Sequence, residues 1–316
     1  MQAFQLQTCA SKWFEQIMKK GLKRPLDLAI EIARSKPPII SLSEGYESRV
    51  VEAAVEAVNL GIAKIILVGK VEKVQHQLAK YPCSYPDRIK IHDPIRSSLI
   101  KEFSKSYYEL RKHKGITYED AKKQATSNLV YAALLVKNGH ADGTLSGAVE
   151  TTSNVVKTAI WVLGKATQVK TVSSCFLIFP KSHEPMIYAD CGLVIEPNDE
   201  ELVDITIAAS QSCKSLLNTD PRIALLSFST KGSAKHRNTD KILSALKKLK
   251  SLEPELLVDG ELQFDAAIDS AVGKIKAPES KVAGTANVMI FPNLDAGNIA
   301  YKITQRLGNC LLYTSP

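Results

Sequence analysis

Short, continuous blocks of isoleucine, leucine and valine recur along this 316-residue chain, and longer segments with helical periodicity separate them. Blocks of this kind are typical of strands that are buried on both faces of a parallel sheet. The segments between most of them are long enough for a crossover helix. The pattern therefore predicts an α/β fold with doubly wound, mainly parallel sheets. The predicted strands are residues 39–42, 64–68, 89–92, 143–145, 174–179, 186–190, 223–227, 256–259 and 287–291.

The segments between the blocks carry apolar residues at helical spacing. Residues 47–60 and 198–217 each place an apolar stripe on one face of a predicted helix. Residues 240–250 form an amphipathic helix whose lysine-rich outer face we interpret as solvated surface rather than a binding patch. Residues 1–22 predict one more amphipathic helix, for which packing on the body is favoured over a subunit contact.

The composition narrows the classes of function. The net charge of +8 occurs without an arginine-rich run that interleaves with aromatic residues. This favours a small, multiply charged anion over nucleic acid as the ligand, while solubility alone also explains the charge. The six cysteines lie far apart, so neither a disulfide framework nor a zinc site is indicated, and Cys175 and Cys191 are predicted to be buried thiols. Neither a membrane span nor a secretory signal is evident, so we expect a cytoplasmic protein without a membrane partner.

Hydroxyl-bearing side chains cluster where the strand at residues 143–145 gives way to a helix. Ser146 precedes a glycine, Thr151, Thr152 and Ser153 open the helix, and Lys157 follows one turn later. The backbone N–H groups and the dipole of a helix start favour a bound anion. Threonine and serine are also ordinary helix caps. From these residues alone, the anion site and the ordinary cap explain the pattern equally well.

Other predicted strand ends are also basic or rich in hydroxyls. Arg49 follows the first strand, and a salt bridge to Glu44 or Glu47 is the alternative explanation for it. Arg111 lies in a basic segment at a helix end, where a cation also complements the helix dipole. Together, the basic and hydroxyl-bearing residues at these strand ends predict a substrate that carries phosphate. No cluster of acidic and histidine residues has the spacing of a metal site, so we do not expect a metal ion to assist the reaction. The remaining candidate residues at strand ends are Ser229, Lys231, Asn298 and Lys302.

Several ordered blocks resemble the phosphate acetyltransferases and their phosphate butyryltransferase relatives. The similarity covers nearly all of the chain after about residue 25. The residues of the matching blocks are more similar to the acetyl branch than to the butyryl branch. The blocks are SEGYESRVVEA (43–53), YELRKHKG (108–115), DGTLSGAVETTSNVVKTA (142–159), YADCGLVIEPNDEELVDITIA (188–208), ALLSFSTKGSAK (224–235), VDGELQFDAAI (258–268) and SKVAGTANVMIFPNLDAGNIAYKITQRL (280–307).

The resemblance implies acyl transfer between acetyl phosphate and coenzyme A, with inorganic phosphate as leaving group or acceptor. It implies neither metal nor cofactor, since coenzyme A is a substrate. It also implies a homodimer of two-domain subunits with the active site in the interdomain cleft. We assign residues 1–165 and 306–316 to the first domain and 166–305 to the second. By resemblance, Arg49 and Arg111 handle phosphate and coenzyme A, and the hydroxyl loop is the acyl-phosphate loop.

The chain departs from the family pattern at two places. Glu150 stands where the family has histidine, and Lys157 stands where it has an arginine, whose guanidinium would grip phosphate with two parallel donors. After Gly308 the family continues to a catalytic Ser-Arg pair and an Asp, which this chain lacks. We therefore expect a truncated reading frame and negligible turnover by the 316-residue chain. A non-catalytic sensor of acetyl-CoA or acyl phosphate and a phosphate butyryltransferase stay as alternatives.

Overall fold

The computed structural model of the chain describes residues 25–167, 169–180, 183–308 and 310–315. The amphipathic helix predicted for residues 1–22 lies outside the described residues. The described chain forms two α/β units, residues 26–166 and the residues from 167 onward. No helix in these ranges is long and apolar enough to cross a membrane.

The first unit is built on a sheet of four parallel strands in the order β3-β2-β1-β4. The strands are β1 (Ile39–Leu42), β2 (Lys64–Val68), β3 (Ile89–His92) and β4 (Gly143–Leu145). The helices are α1 (Pro25–Ser35), α2 (Ser48–Asn59), α3 (Val71–Leu78), α4 (Ile100–Arg111), α5 (Tyr118–Ala125), α6 (Asn128–Lys137) and α7 (Thr152–Val162). Two single 3-10 turns, Pro86–Arg88 and Lys112–Lys114, precede β3 and follow α4.

The continuous apolar block of β2 explains how this sheet is buried. Successive side chains of a strand point to opposite faces. Ile66 and Val68 accordingly join one buried cluster with residues of α4 and α6, whereas Ile65 and Leu67 join another with residues of α2. Helices cover both faces of the sheet, so apolar and polar residues do not alternate from Ile65 to Val68. The sequence predicted this pattern of burial.

The second unit holds a mixed sheet of six strands in the order β10-β5-β6-β9-β7-β8. The strands β6, β9, β7 and β8 are parallel, while β5 is antiparallel to both β6 and β10. The strands are β5 (Cys175–Phe179), β6 (Met186–Ala189), β7 (Ile223–Leu226), β8 (Val258–Leu262), β9 (Val288–Ile290) and β10 (Leu311–Ser315). The helices are α8 (Asp199–Ser212), continued by a π-helical turn (Cys213–Leu217), α9 (Arg237–Leu252), α10 (Phe264–Ile268), α11 (Ser270–Lys276) and α12 (Leu294–Leu307).

The mainly parallel α/β architecture confirms the predicted fold class, and most predicted strands match within one residue at each end. The prediction for 256–259 is wrong in its bounds, because β8 continues through Glu261 to Leu262. A buried carboxylate there has hydrogen-bond partners on the neighbouring loop, which the sequence does not show. Cys175 and Cys191 are buried as predicted, and burial raises the pKa of both thiols.

The last strand was not predicted from the sequence. It pairs with β5 along residues 311–315, so its backbone belongs to the second sheet. The domain assignment from the sequence placed residues 306–316 in the first domain instead. The difference arises because the assignment followed the resemblance, whereas the strand is held by an antiparallel ladder with Cys175–Phe179.

Candidate functional site

The carboxyl ends of β1 and β4 lie side by side in the first unit. All four strands are parallel, but β2 lies on one side of β1 and β4 lies on the other. The chain therefore changes the side on which it adds strands at β1, which makes the gap between β1 and β4 a topological switch point. In open α/β sheets ligands bind at such a switch point, outside the carboxyl ends of the strands. The Ser43 hydroxyl donates to the Ser146 hydroxyl at 2.8 Å and joins the two loops there.

Glu44 occupies the centre of this switch point, with only 2% of its surface exposed. One carboxylate oxygen accepts the N–H groups of Gly147 at 3.1 Å and Ala148 at 2.9 Å. The other accepts those of Val149 at 2.8 Å and Glu150 at 2.7 Å. Burial alone would raise the pKa of Glu44, but these four donors outweigh burial and lower it. Glu44 is therefore an internal anion held in a cradle of backbone amides.

This arrangement revises the anion site predicted from the sequence. Because Glu44 accepts the four N–H groups of residues 147–150, these four are not available to an external anion. Thr151 is the ordinary cap of α7, since its hydroxyl accepts the N–H of Asn154 at 3.3 Å. The side chains of Thr152 and Ser153 in the first turn are exposed. The interpretation as an ordinary cap is confirmed for Thr151, and an anion site at Thr152 and Ser153 stays a prediction.

Two of the predicted cations of the first unit lie near this helix start, Arg49 beside the preceding loop and Lys157 in the second turn of the helix. The Arg49 guanidinium donates to Glu47 at 2.7 Å and to the carbonyl of Ala148 at 3.0 Å, which fixes it beside the loop. The predicted salt bridge therefore forms with Glu47 rather than with Glu44. Lys157 is exposed on α7 and has no ion-pair partner among the residues that the structure describes.

Arg111 reaches the same helix from α4. Its guanidinium lies 4.5 Å from the ring centroid of Trp161, a cation–π contact. Trp161 follows Lys157 by four residues, so the two side chains share one face of α7. The structure thus brings Arg111 to the helix face that carries Lys157.

The candidate residues of the second unit have internal partners. Ser229 is fully buried and donates to Glu261 at 2.8 Å, and the same carboxylate accepts the N–H of Gly232 at 2.8 Å. Lys231 pairs with Asp259 at 2.5 Å. These contacts hold the loop after β7 together, and a role of Ser229 and Lys231 in substrate binding stays a prediction.

Asn298 and Lys302 lie on α12. Asn298 donates to the carbonyl of Cys191 at 3.3 Å and accepts from Lys302 at 2.5 Å. The pair ties α12 to the end of β6, and a role in substrate binding stays a prediction.

Besides Glu261 and Asp93, sequence reasoning missed two more buried carboxylates that organise strand ends. Glu44 is one, and Asp190, 3% exposed, is the other, since it accepts the N–H groups of Gly192 at 2.9 Å and Val194 at 2.7 Å. Each is an acidic residue that follows an apolar strand closely and precedes a glycine by one or two positions. That pattern is the signal that could have found them. In the described part of the chain, no group of three or more His, Cys, Asp or Glu side chains could hold a metal.

Comparison with known proteins gives a consistent result. Residues 26–313 match the phosphate acetyl/butaryl transferase family. The chain is 41% identical to a phosphate acetyltransferase of Thermoanaerobacterium thermosaccharolyticum, over 88% of this chain and 85% of that protein. It is also 41% identical to a phosphate acetyltransferase of Acetivibrio thermocellus, over 91% and 87% of the two chains. Among solved structures, a phosphotransacetylase from Streptococcus pyogenes superimposes with a TM-score of 0.84 at 37% identity, covering 91% of this chain and 87% of that one.

Proposed function

The chain belongs to the phosphate acetyl/butaryl transferase family, and on this premise we propose that it moves an acetyl group between acetyl phosphate and coenzyme A. The family match over residues 26–313 carries the proposal. The acetyl branch is favoured because the relatives at 41% identity are named phosphate acetyltransferases. We further propose, from the resemblance, that the protein acts in the cytoplasm in acetate metabolism, as a homodimer that needs neither metal nor cofactor.

The reaction explains why hydroxyls and cations gather at the switch point. The sulfur of coenzyme A attacks the acetyl carbonyl carbon, a C–S bond forms, and the C–O bond to phosphate breaks. The thiol proton is lost to a base, and negative charge develops on the carbonyl oxygen and on the departing phosphate. Fixed donors aimed at these oxygens lower the barrier. The proposed donors lie between the end of β4 and the second turn of α7, and they are Ser146, Thr152, Ser153 and Lys157.

Arg49 and Arg111 complete the proposed phosphate site. Each is held by a contact that leaves further guanidinium donors available, Arg49 by Glu47 and Ala148, and Arg111 by the ring of Trp161. Arginine favours the bidentate recognition of phosphate oxygens, which a lysine ammonium does not provide. The two arginines therefore offer the fork geometry that Lys157 lacks.

The activity itself is tested by an assay of the protein expressed from its natural gene. We expect acetyl-CoA to form from acetyl phosphate and coenzyme A, and to form faster than butyryl-CoA does from butyryl phosphate. Faster turnover of butyryl phosphate would assign the protein to the butyryl branch. Tight binding of coenzyme A without any turnover would identify a sensor and overturn the proposal.

The role of Lys157 is tested by binding measurements on the 316-residue chain. We expect Lys157→Ala to weaken the binding of acetyl phosphate about 10-fold, because one charge-assisted hydrogen bond is lost. We expect Lys157→Arg to bind acetyl phosphate more tightly than wild type, because a guanidinium offers two parallel donors. Isothermal titration calorimetry measures both.

The matched control is Lys101→Ala, which removes an exposed lysine from α4. It lowers the net charge by the same amount and should leave the affinity unchanged. Equal affinities of wild type and Lys157→Ala would show that Lys157 does not contact the phosphate.

A further inference from the structure

Three side chains that follow one another at intervals of one helical turn form a single face of α7. Ser153 lies in the first turn, Lys157 follows it by four residues, and Trp161 follows by four more. All three side chains are exposed. Side chains of a helix lean toward its N-terminus, so the amine of Lys157 can reach back to the helix start and the hydroxyl of Ser153.

We propose that this amine is a self-acetylation site, at which bound acetyl phosphate transfers its acetyl group to the side-chain nitrogen of Lys157. The inference rests on the proposed function, because the acetyl donor is the substrate of that function. It goes beyond that function, because the acetyl group ends on the protein itself rather than on coenzyme A.

No carboxylate holds the ammonium of Lys157 in the part of the chain that the structure describes. The residues three and four positions away on either side are asparagine, serine, isoleucine and tryptophan, none of which is acidic. Glu150, the nearest acidic residue along the chain, accepts a hydrogen bond from the side-chain amide of Asn154 at 3.1 Å. The nitrogen of Lys157 is therefore available to an external anion and to an acyl group that the anion carries.

A second cation lies at the same face of α7. The Arg111 guanidinium is 4.5 Å from the ring centroid of Trp161, one turn beyond Lys157. Two cations at one helix face repel each other, and an anion that contacts both removes the repulsion. In acetyl phosphate a single oxygen separates the phosphorus from the carbonyl carbon. An amine that contacts the phosphate group is therefore also within reach of the carbon that it would attack.

The transfer needs no reagent besides acetyl phosphate. The ammonium of Lys157 first gives one proton to solvent, and the uncharged nitrogen then attacks the carbonyl carbon. A C–N bond forms, the C–O bond to phosphate breaks, and the phosphate leaves with the bonding electron pair. The second proton of the nitrogen passes to the departing phosphate. The products are an acetyl-lysine amide and inorganic phosphate.

The identity of the residue makes the position reactive. An arginine guanidinium stays protonated in proteins, whereas a lysine amine is an ordinary target of acetylation. Acetylation removes the positive charge of the side chain. The modified chain should bind acetyl phosphate about 10-fold more weakly, because one charge-assisted hydrogen bond is lost. Prolonged exposure to acetyl phosphate would thus lower the affinity of its own site.

Mass spectrometry of the 316-residue chain after incubation with acetyl phosphate tests the proposal at each lysine. The matched reference is Lys105, an exposed lysine that is the sixth residue of α4, as Lys157 is of α7. We expect the initial rate at Lys157 to exceed the rate at Lys105 about 10-fold or more, because a bound reagent is held at high local concentration. The rate at Lys157 should saturate with acetyl phosphate, whereas the rate at Lys105 should rise linearly.

Two reagents and one variant serve as controls. Inorganic phosphate competes for the site, so it should slow acetylation of Lys157 and leave that of Lys105 unchanged. Acetic anhydride carries no phosphate and should acetylate the two lysines at similar rates. Lys157→Gln mimics the loss of charge, so this variant should bind acetyl phosphate as weakly as the acetylated chain does.

The outcomes separate the inference from the proposed function. Equal rates at the two lysines with acetyl phosphate overturn the inference. A preference of acetic anhydride for Lys157 also overturns it, since the amine would then be reactive without a bound phosphate. Calorimetry decides between the two proposals. If acetyl phosphate binds but Lys157 is not preferred, self-acetylation fails and the proposed site stands. If acetyl phosphate does not bind, the proposed site and the inference fail together.

Discussion

Glu44→Gln is expected to destabilise the first unit by about 3–5 kcal/mol, the range for removing one partner from a buried charged network. The substitution keeps the shape of the side chain but replaces one carboxylate oxygen by an NH₂ group. That group cannot accept, so two of the four N–H groups of residues 147–150 lose their partner. Urea denaturation measures the free energy of unfolding. Hydrogen exchange should show faster exchange of these amides in the variant.

The matched control is Glu52→Gln on α2, which makes the same chemical change at an exposed position. It should alter stability by no more than about 0.5 kcal/mol. Equal stabilities of the Glu44 and Glu52 variants would show that the amide cradle contributes nothing to folding.

The pH dependence of stability provides a second measurement of the same interaction. Folding lowers the pKa of Glu44 below its ordinary value of 4.5, so the folded state favours the ionised carboxylate. The stabilisation is therefore fully present above that value and is lost as the pH falls through the lower pKa of the folded protein. Wild type should lose more stability on acidification than Glu44→Gln does. Parallel acid profiles of the two proteins would contradict this assignment.

Gly284→Ala is expected to destabilise the second unit by about 2–5 kcal/mol, because it combines backbone strain with a steric clash. Gly284 has a φ of +78°, a conformation that alanine rarely adopts. An added Cβ would lie 2.6 Å from the Cα of Ser270 and 3.2 Å from the carbonyl oxygen of Asp269. Both are backbone atoms and cannot rotate away, so α11 would have to shift. Thermal and urea unfolding measure the loss.

Gly232→Ala separates the two contributions. Gly232 lies in the same unit with a φ of +81°, but nothing lies within 4 Å of its added Cβ. This variant should be destabilised by the strain alone, about 1–2 kcal/mol. A loss at Gly284 no larger than that at Gly232 would mean that α11 accommodates the methyl group without strain.

The sequence predicted most of the fold because burial on both faces leaves a clear pattern. The blocks at β1, β2 and β7 are uninterrupted by charge, and the structure confirms them. The end of β8 was not predictable, since Asp259 and Glu261 resemble a polar boundary until their partners Lys231 and Ser229 are known. Burial of a charge depends on contacts between distant segments, which one sequence does not display.

The candidate site was predictable in its location but only partly in its chemistry. Hydroxyls and cations at the ends of strands indicated the place, and the structure brings Arg49 and Ser146 into neighbouring loops there. The occupied amides were not predictable. Glu44 lies about one hundred residues from its donors, and residue types alone do not show whether an amide faces a ligand or an internal carboxylate.

We expect the carboxylate of Glu44 also to affect the kinetics of ligand binding. A loop after a sheet edge is ordinarily a fluctuating segment that must lose conformational entropy when a ligand arrives. Here four backbone contacts and the Ser43–Ser146 bond have already fixed the loop before any ligand binds. We therefore expect an acyl phosphate to associate with this loop without a slow ordering step and to keep the free energy of its contacts as affinity.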